Sequence, residues 1–482
     1  MSITQILSNL LWINTALAIV VMVMERRNTR STWLWIMIMV LAPGIGFIFY
    51  LWLGRDFNKR NMFKDKSLTD IQTHKDHLSE NENAVLKFDD AIINRPYLVR
   101  YQSLIQMLYL NSQSRLTYNN NVGTIFEGEI LFDKLCEDIK NAKKYIYIQT
   151  YIMHSDYLGN KIIDLLIEKA KEGLDVKLLS DGMGARKLRK KDIVRAREAG
   201  VDVQIFFPFF ISFISPRINY RNHRKIFVID GHIGYIGGYN IGDEYIDGGR
   251  KFDSWRDSAI RVVGDAVEKM QYRIELDFSF ASSESVNYLP PVKFEEETEK
   301  IPIQIVSAGP DSIWPNIKDG LLKMISIARK SIYIETPYFI PDDSVLESLR
   351  IAALSGVDIR VMLPYKGDHP FVFWANLSYV GELLKAGVKF YMYEKGFVHS
   401  KVMIIDDEIM TVGTSNMDER SFHLNFEANA FIYDKKTSQK FSEKFLKDME
   451  EHSTQITQNI YNRRSKWVKV KENFSRLLSP LL

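Results

Sequence analysis

His223-Arg-Lys225-Ile-Phe-Val-Ile-Asp230 and His399-Ser-Lys401-Val-Met-Ile-Ile-Asp406 are two copies of one segment, set 176 residues apart. After six intervening residues each leads to a further matched group, Gly237-Gly-Tyr-Asn240 in the first copy and Gly413-Thr-Ser-Asn416 in the second. Histidine and asparagine therefore stand 17 residues apart in both. The apolar run between lysine and aspartate has the composition of a buried strand. Side chains two apart on a strand share a face, so His223 projects with Lys225, and His399 with Lys401. Asp230 lies at an odd separation from Lys225 and so faces the other way, and Asp230-Gly231 is a hairpin-turn signal. Asp230 and Asp406 stay in the candidate catalytic set as motif members, with fixing the turn as the main role expected of them.

Working outward, the duplication extends well beyond the two segments. Lys144-Tyr-Ile-Tyr-Ile-Gln-Thr150 matches Lys330-Ser-Ile-Tyr-Ile-Glu-Thr336, and Glu172-Gly-Leu-Asp-Val-Lys177 matches Ser355-Gly-Val-Asp-Ile-Arg360. Glu198-Ala-Gly-Val201 matches Lys385-Ala-Gly-Val388. Four matched blocks in one order are too few for a solenoid and imply two fused, similar domains. Within each, β-branched and aromatic runs alternate with amphipathic stretches that end at glycine, which predicts helices covering a central sheet. The expected organisation is a membrane anchor over 1–60, a polar linker over 61–100, a first α/β domain over 101–288 and a second over 289–482. The motif segments occupy 217–244 and 393–420. An 11-residue excess in the first half falls on the Phe-rich run Phe206-Phe-Pro-Phe-Phe-Ile-Ser-Phe-Ile-Ser-Pro216, which reads equally as a lipid-dipping loop or as core.

The paired segments suit a phosphodiester. Docked about a pseudo-twofold axis, they bring two imidazoles and two ammonium groups to one cavity. The lysines with the amides of Asn240 and Asn416 can hold the non-bridging oxygens. One neutral imidazole can attack phosphorus while the other, protonated, supplies the leaving alkoxide with a proton. No cofactor and no metal are expected, because cationic side chains supply the charge. Each histidine needs an acceptor on its second ring nitrogen. The candidates, 34 and 28 residues downstream, are Asp257 for His223 and Glu427 for His399.

Several function classes lose their usual signals. There is no GxxxxGK[ST] loop, HExxH helix or GxSxG elbow, and Cys136 is the only cysteine, which excludes an intrachain disulfide. A net charge of +3 does not imply nucleic acid. The N-terminus carries uncharged runs over 6–24 and 33–53, each long enough for the roughly 30 Å hydrocarbon core. Both are expected to span, with Pro43-Gly44 a tolerated break in the second. Five basic residues after the second run (Arg55, Lys59, Arg60, Lys64, Lys66), against three between the runs (Arg26, Arg27, Arg30), favour a cytoplasmic catalytic part. The basic stretch Arg186–Lys191 and the C-terminal stretch, whose Arg463, Arg464, Lys466, Lys469, Lys471 and Arg476 interleave with apolar residues, read as lipid-facing or as ordinary solvated surface.

The doubled HxKx4Dx6G[GT]xN pattern resembles the phospholipase D superfamily, and with the apolar N-terminal pair the whole chain resembles the bacterial cardiolipin synthases. That resemblance implies two phospholipase D-like α/β/α domains with one shared cleft, behind an N-terminal transmembrane helical hairpin. It implies transfer of a phosphatidyl group between two phosphatidylglycerol molecules, giving cardiolipin and glycerol through a phosphohistidine, with His223 as nucleophile. The partners it implies are phosphatidylglycerol and anionic membrane lipid, with no nucleic acid; oligomeric state is not readable. The rivals are a phospholipase D hydrolase releasing phosphatidic acid, a membrane-bound superfamily nuclease, and a non-catalytic scaffold.

Overall fold

A computed structural model describes residues 12–20, 29–53, 63, 66, 95–208, 219–285, 288–292, 299–477 and 479. They fall into two compact units, one drawn from residues 1–76 and 209–219 and the other from 77–208 and 220–482. The polar linker is almost wholly outside the described residues, as are 209–218 of the Phe-rich run.

In the first half of the larger unit the chain forms β1 (Asn120–Ile125), β2 (Tyr145–Thr150), β3 (Asp175–Asp181), β4 (Asp202–Phe206), β5 (Arg221–Asn222), β6 (Ile226–Ile229), β7 (Ile233–Gly237), β8 (Trp255–Arg256) and β9 (Ala259–Gly264). The first sheet runs β1-β9-β7-β6-β2-β3-β4. Parallel neighbours β2, β3 and β4 are joined through helices Tyr157–Lys171 and Lys190–Glu198, as parallel pairing requires. The second half forms β10 (Ile303–Ala308), β11 (Ser331–Glu335), β12 (Phe339–Ile340), β13 (Asp358–Pro364), β14 (Lys389–Tyr393), β15 (Phe397–Val398), β16 (Val402–Ile405), β17 (Ile409–Gly413), β18 (Met417–Asp418), β19 (Asn425–Ile432) and β20 (Ser453–Ile456). Its sheet runs β10-β19-β17-β16-β11-β13-β14-β20, the same order as the first with one extra edge strand. The repeat read from sequence is thus a repeat of topology.

The two sheets share one apolar core. Tyr145, Tyr147, Ile226 and Val228 of the first pack in a single buried cluster with Tyr333, Val402, Ile404 and Val412 of the second. Removing that surface from water, at roughly 25 cal/mol per Å², fixes how the halves dock and so where the two histidine segments meet. One boundary moves. Helix Gln102–Ser112, expected in the first domain, buries Leu104, Ile105 and Leu108 among Ile317, Leu321 and Met324 of the second-half core. The described start of the Phe-rich run is core: Phe206 and Phe207 are buried, with rings 5.3 and 5.8 Å from Phe280.

In the N-terminal unit the second apolar run is two helices, the first of them starting before the run, Thr29–Leu41 and Ile45–Leu53. Pro43 has no N–H to continue the ladder and Gly44 takes φ +78°, so the run breaks where a single span was expected. No helix among the described residues is long and apolar enough to cross a membrane. Met39 and Tyr50 are buried, Asn14 donates its side-chain amide to the Met39 carbonyl at 3.0 Å, and Trp35 packs edge-on to Tyr50. Trp12, Trp33, Met37, Leu41 and Ile48 are exposed.

Candidate active site

Immediately before each histidine the chain leaves its own sheet and pairs with the opposite half. β5 lies parallel to the first two residues of β19, and β15 lies parallel to β8. The His223 N–H donates to the Phe426 carbonyl at 2.9 Å, and the His399 N–H to the Arg256 carbonyl at 2.7 Å. The next residue on each partner strand is an acid, Glu427 or Asp257. His223 Nδ1 stands 3.0 Å from both carboxylate oxygens of Glu427, and His399 Nδ1 stands 2.6 Å from Asp257 Oδ2. The sequence paired Asp257 with His223 and Glu427 with His399, each within its own half; the structure exchanges the partners. Sequence proximity lost to the inter-half strand pairing, which puts each acid beside the other half's histidine.

Facing a carboxylate, each Nδ1 carries the hydrogen, and the Nε2 lone pair is left for the cleft. Glu427 is fully buried and also accepts from Thr414 Oγ1 at 2.5 Å and Asn425 Nδ2 at 3.2 Å. Asp257 is fully buried and accepts the Ser258 N–H at 2.7 Å. A Cβ on Gly238 would stand 2.1 Å from Asp257 Oδ1, so the Gly-Gly of the first motif is the space that this carboxylate occupies. The second motif has Thr414 at that place and uses its hydroxyl on Glu427 instead. Burial pushes both carboxyls up, but the facing imidazoles and lysines outweigh it and hold them below the usual range.

Burial drives both imidazoles down, from 6.5 to about 4. Each also feels its own half's lysine pushing the same way, while the carboxylates oppose. Lys225 and Lys401 are buried and each donates its ammonium to the carbonyl of its own histidine, Lys225 at 2.7 Å. Burial takes Lys225 down to about 7 and Lys401 to about 8, against the pull of Glu427 and Asp257. Both imidazoles, Asn240 and Asn416 line one cleft of about 980 Å³. Asn240 Oδ1 accepts the Ile152 N–H at 3.0 Å, and the same side chain is hydrogen-bonded to Tyr245. The buried Oδ1 of Asn416 has no hydrogen-bond partner among the described residues.

Asp230 and Asp406 lie at the far ends of β6 and β16, away from the cleft, both with left-handed backbone (φ +52° and +56°). The Asp230 carboxylate accepts the N–H groups of Lys143, Lys144 and Tyr145 at 2.8, 2.7 and 3.1 Å. Asp406 accepts those of Arg329, Lys330 and Ser331, and pairs with Arg100. Neither carboxylate lines the cleft; each pins its motif turn to the start of the neighbouring strand.

Sequence reasoning passed over several cleft residues. The Tyr151 ring is 5.0 Å from His223, and Lys225 Nζ lies 5.3 Å from it. The Trp255 ring is 5.0 Å from His399. Tyr338, bonded to Asp368, and Arg221, paired with Asp181 at 3.4 Å, complete the wall. The tyrosines were findable, since Gln149-Thr-Tyr151 and Glu335-Thr-Pro-Tyr338 end the matched strand block.

Two half-sites, each giving a His–Lys pair and each completed by the other, define a bilobed enzyme of the phospholipase D-like class. A family model described as "Cardiolipin synthase, PLD-like domain" matches residues 135–259 and again 321–449, and one described as "Phospholipase_D-nuclease N-terminal" matches 10–55. A cardiolipin synthase of Oceanobacillus iheyensis is 44% identical, the match covering 100% of both chains. Cardiolipin synthase 2 of Staphylococcus epidermidis is 46% identical over 91% of this chain and 90% of its own. Among solved structures, phosphatidylserine synthase of Haemophilus influenzae aligns with a TM-score of 0.58 at 15% identity, covering 79% of this chain and 100% of that one, a likeness of fold. The chain belongs to the cardiolipin synthase family, and its enzyme class is phosphatidyltransferase.

Proposed function

We propose that the chain joins two phosphatidylglycerol molecules into cardiolipin and glycerol through a phosphohistidine on His223. The observation that carries it is the crossed pairing, which presents two imidazole Nε2 atoms to one cleft with Nδ1 of each held by a carboxylate. In the first step the His223 Nε2 lone pair forms a bond to phosphorus, the P–O bond to the glycerol headgroup breaks, and His399 gives its proton to the departing alkoxide. In the second, neutral His399 takes the proton of the acceptor's headgroup hydroxyl, the new P–O bond forms, and the P–N bond breaks. One phosphodiester replaces another, so no nucleotide is consumed.

The carboxylates favour this division of labour. Glu427 spreads its charge over His223, Thr414 and Asn425, whereas Asp257 gives His399 its shorter contact, 2.6 against 3.0 Å. The more strongly supported imidazole is the better proton carrier. In the empty cleft both imidazoles are neutral near pH 7, and the incoming phosphodiester anion raises His399 towards the protonated form. Lys225, Lys401 and the two asparagine amides stabilise charge on the non-bridging oxygens.

The exposed apolar side chains of the N-terminal helices support anchoring in the bilayer, with the catalytic unit on the side carrying the larger basic count. The reading is tested with purified chain and radiolabelled phosphatidylglycerol in vesicles. Cardiolipin, glycerol and acid-labile label on the His223 peptide are expected. Label on His399 would overturn the assignment, and phosphatidic acid alone would identify a hydrolase.

A further inference from the structure

Helix Lys466–Leu477 is amphipathic but docks the wrong way round for a soluble protein. Its two fully buried positions are polar, Glu472 and Ser475, with Val468 half-buried on the same face, and Glu472 pairs with Arg464 at 2.8 Å. Four of its five large apolar side chains point out, with Trp467 77%, Val470 55%, Phe474 56% and Leu477 78% exposed. Their spacing of three and four residues makes one continuous ridge at the helical period. Lys466 and Lys469 fall on one flank of that ridge and Lys471 on the other.

The helix sits on helix Pro370–Lys385. Lys471 Nζ lies 5.1 Å from the Trp374 ring and the Arg476 guanidinium 4.7 Å from the Tyr379 ring. Just before and within the first turn of that supporting helix, Asp368, His369 and Val372 line the cleft, and Phe371 is 49% exposed. The helix that carries the ridge is therefore held by the same helix whose first turn forms part of the cleft wall.

We propose that this ridge is a docking surface for an anionic lipid bilayer, which seats the cleft mouth at the headgroup layer. Charge selects the occupant. Residues 463–477 hold six basic side chains against Glu472 alone, and that acid is turned inward. Such a surface is attracted to anionic headgroups and repelled by its like-charged twin on a second copy. Insertion of the ridge to the headgroup boundary covers the four apolar side chains while the flanking lysines stay at phosphate level.

The proposal rests on the phosphatidylglycerol reading above for its biological sense, so the test separates the two. The full-length Trp467→Glu/Phe474→Glu variant and the parent chain are assayed on vesicles of phosphatidylglycerol and phosphatidylcholine, and on short-chain phosphatidylglycerol dispersed below its micelle concentration. The variant's rate on vesicles is expected to fall by roughly ten-fold or more, with its rate on dispersed substrate held within about two-fold. An unchanged vesicle rate overturns the docking surface. If the parent turns over neither substrate, the functional reading fails, and the ridge is judged by its depth. A spin label on Phe474→Cys, with Cys136 buried and unreactive, is expected to show lipid-like oxygen accessibility in the same vesicles. Water-like accessibility, or dipolar broadening from a neighbouring copy, overturns it.

Discussion

Replacing Asp257 by Asn keeps shape and removes the charge 2.6 Å from His399 Nδ1. Both groups are buried, so the lost charge-assisted hydrogen bond withdraws about 1.5–3 kcal/mol of support from the imidazolium. The new amide can also donate to Nδ1, which forces the hydrogen onto Nε2 and spoils the proton acceptor. Together the effects are of order 3–5 kcal/mol, or roughly 10²–10⁴ in rate at about 1.36 kcal/mol per tenfold. The crossed pairing predicts which step suffers. Asp257→Asn acts through His399, so a phosphatidyl ester of 4-nitrophenol, whose leaving group needs no proton, should recover most of the first step. Glu427→Gln acts through the nucleophile His223 and should stay slow on both substrates. The assay is the burst of nitrophenolate set beside glycerol release from phosphatidylglycerol. Rescue of Glu427→Gln with no rescue of Asp257→Asn would mean that the roles given to the two histidines are wrong.

Gly238→Ala should slow transfer about as much as Asp257→Asn, because the added methyl takes the carboxylate's place; transfer at the parent rate would show that the carboxylate's position does not matter. Asp230→Ala removes the acceptor of three backbone N–H groups and should cost about 3 kcal/mol. Its thermal inactivation midpoint should drop by several degrees while turnover per folded molecule stays within about two-fold; loss of turnover without loss of stability contradicts its role as a turn anchor. Both imidazoles go from 6.5 unfolded to about 4 folded. Between those values the unfolded chain binds more protons, so stability falls as the pH drops from 6.5 to 4, by about 3 kcal/mol per imidazole. Comparing thermal midpoints of the parent and His399→Asn across that range isolates the term, and parallel curves would disprove it.

The duplicated strand and the turn role of Asp230 and Asp406 were legible because each is a local rule. An apolar run, a period of two and an Asp-Gly turn mean the same in any fold. The exchange of Asp257 and Glu427 was not legible, because it depends on docking between halves. The strands that perform it, β5, β8 and β15, are two residues long, too short to show any periodicity. Leu104, Ile105 and Leu108 form an ordinary amphipathic stripe, and nothing in such a stripe names the sheet that it will cover. Pro43-Gly44 was visible, but in an uncharged run the hydropathy outweighed the backbone chemistry.

The crossed strands also set a timetable. Glu427 follows His223 by 204 residues, so at about 5–20 residues per second the ribosome takes roughly 10–40 s to deliver the acid after the histidine. Through that interval the growing chain carries an imidazole that its carboxylate does not yet orient. Activity arrives only when the second half closes on the first. A chain truncated between the two motifs, or one whose halves dock badly, is therefore inert rather than a half-controlled lipase.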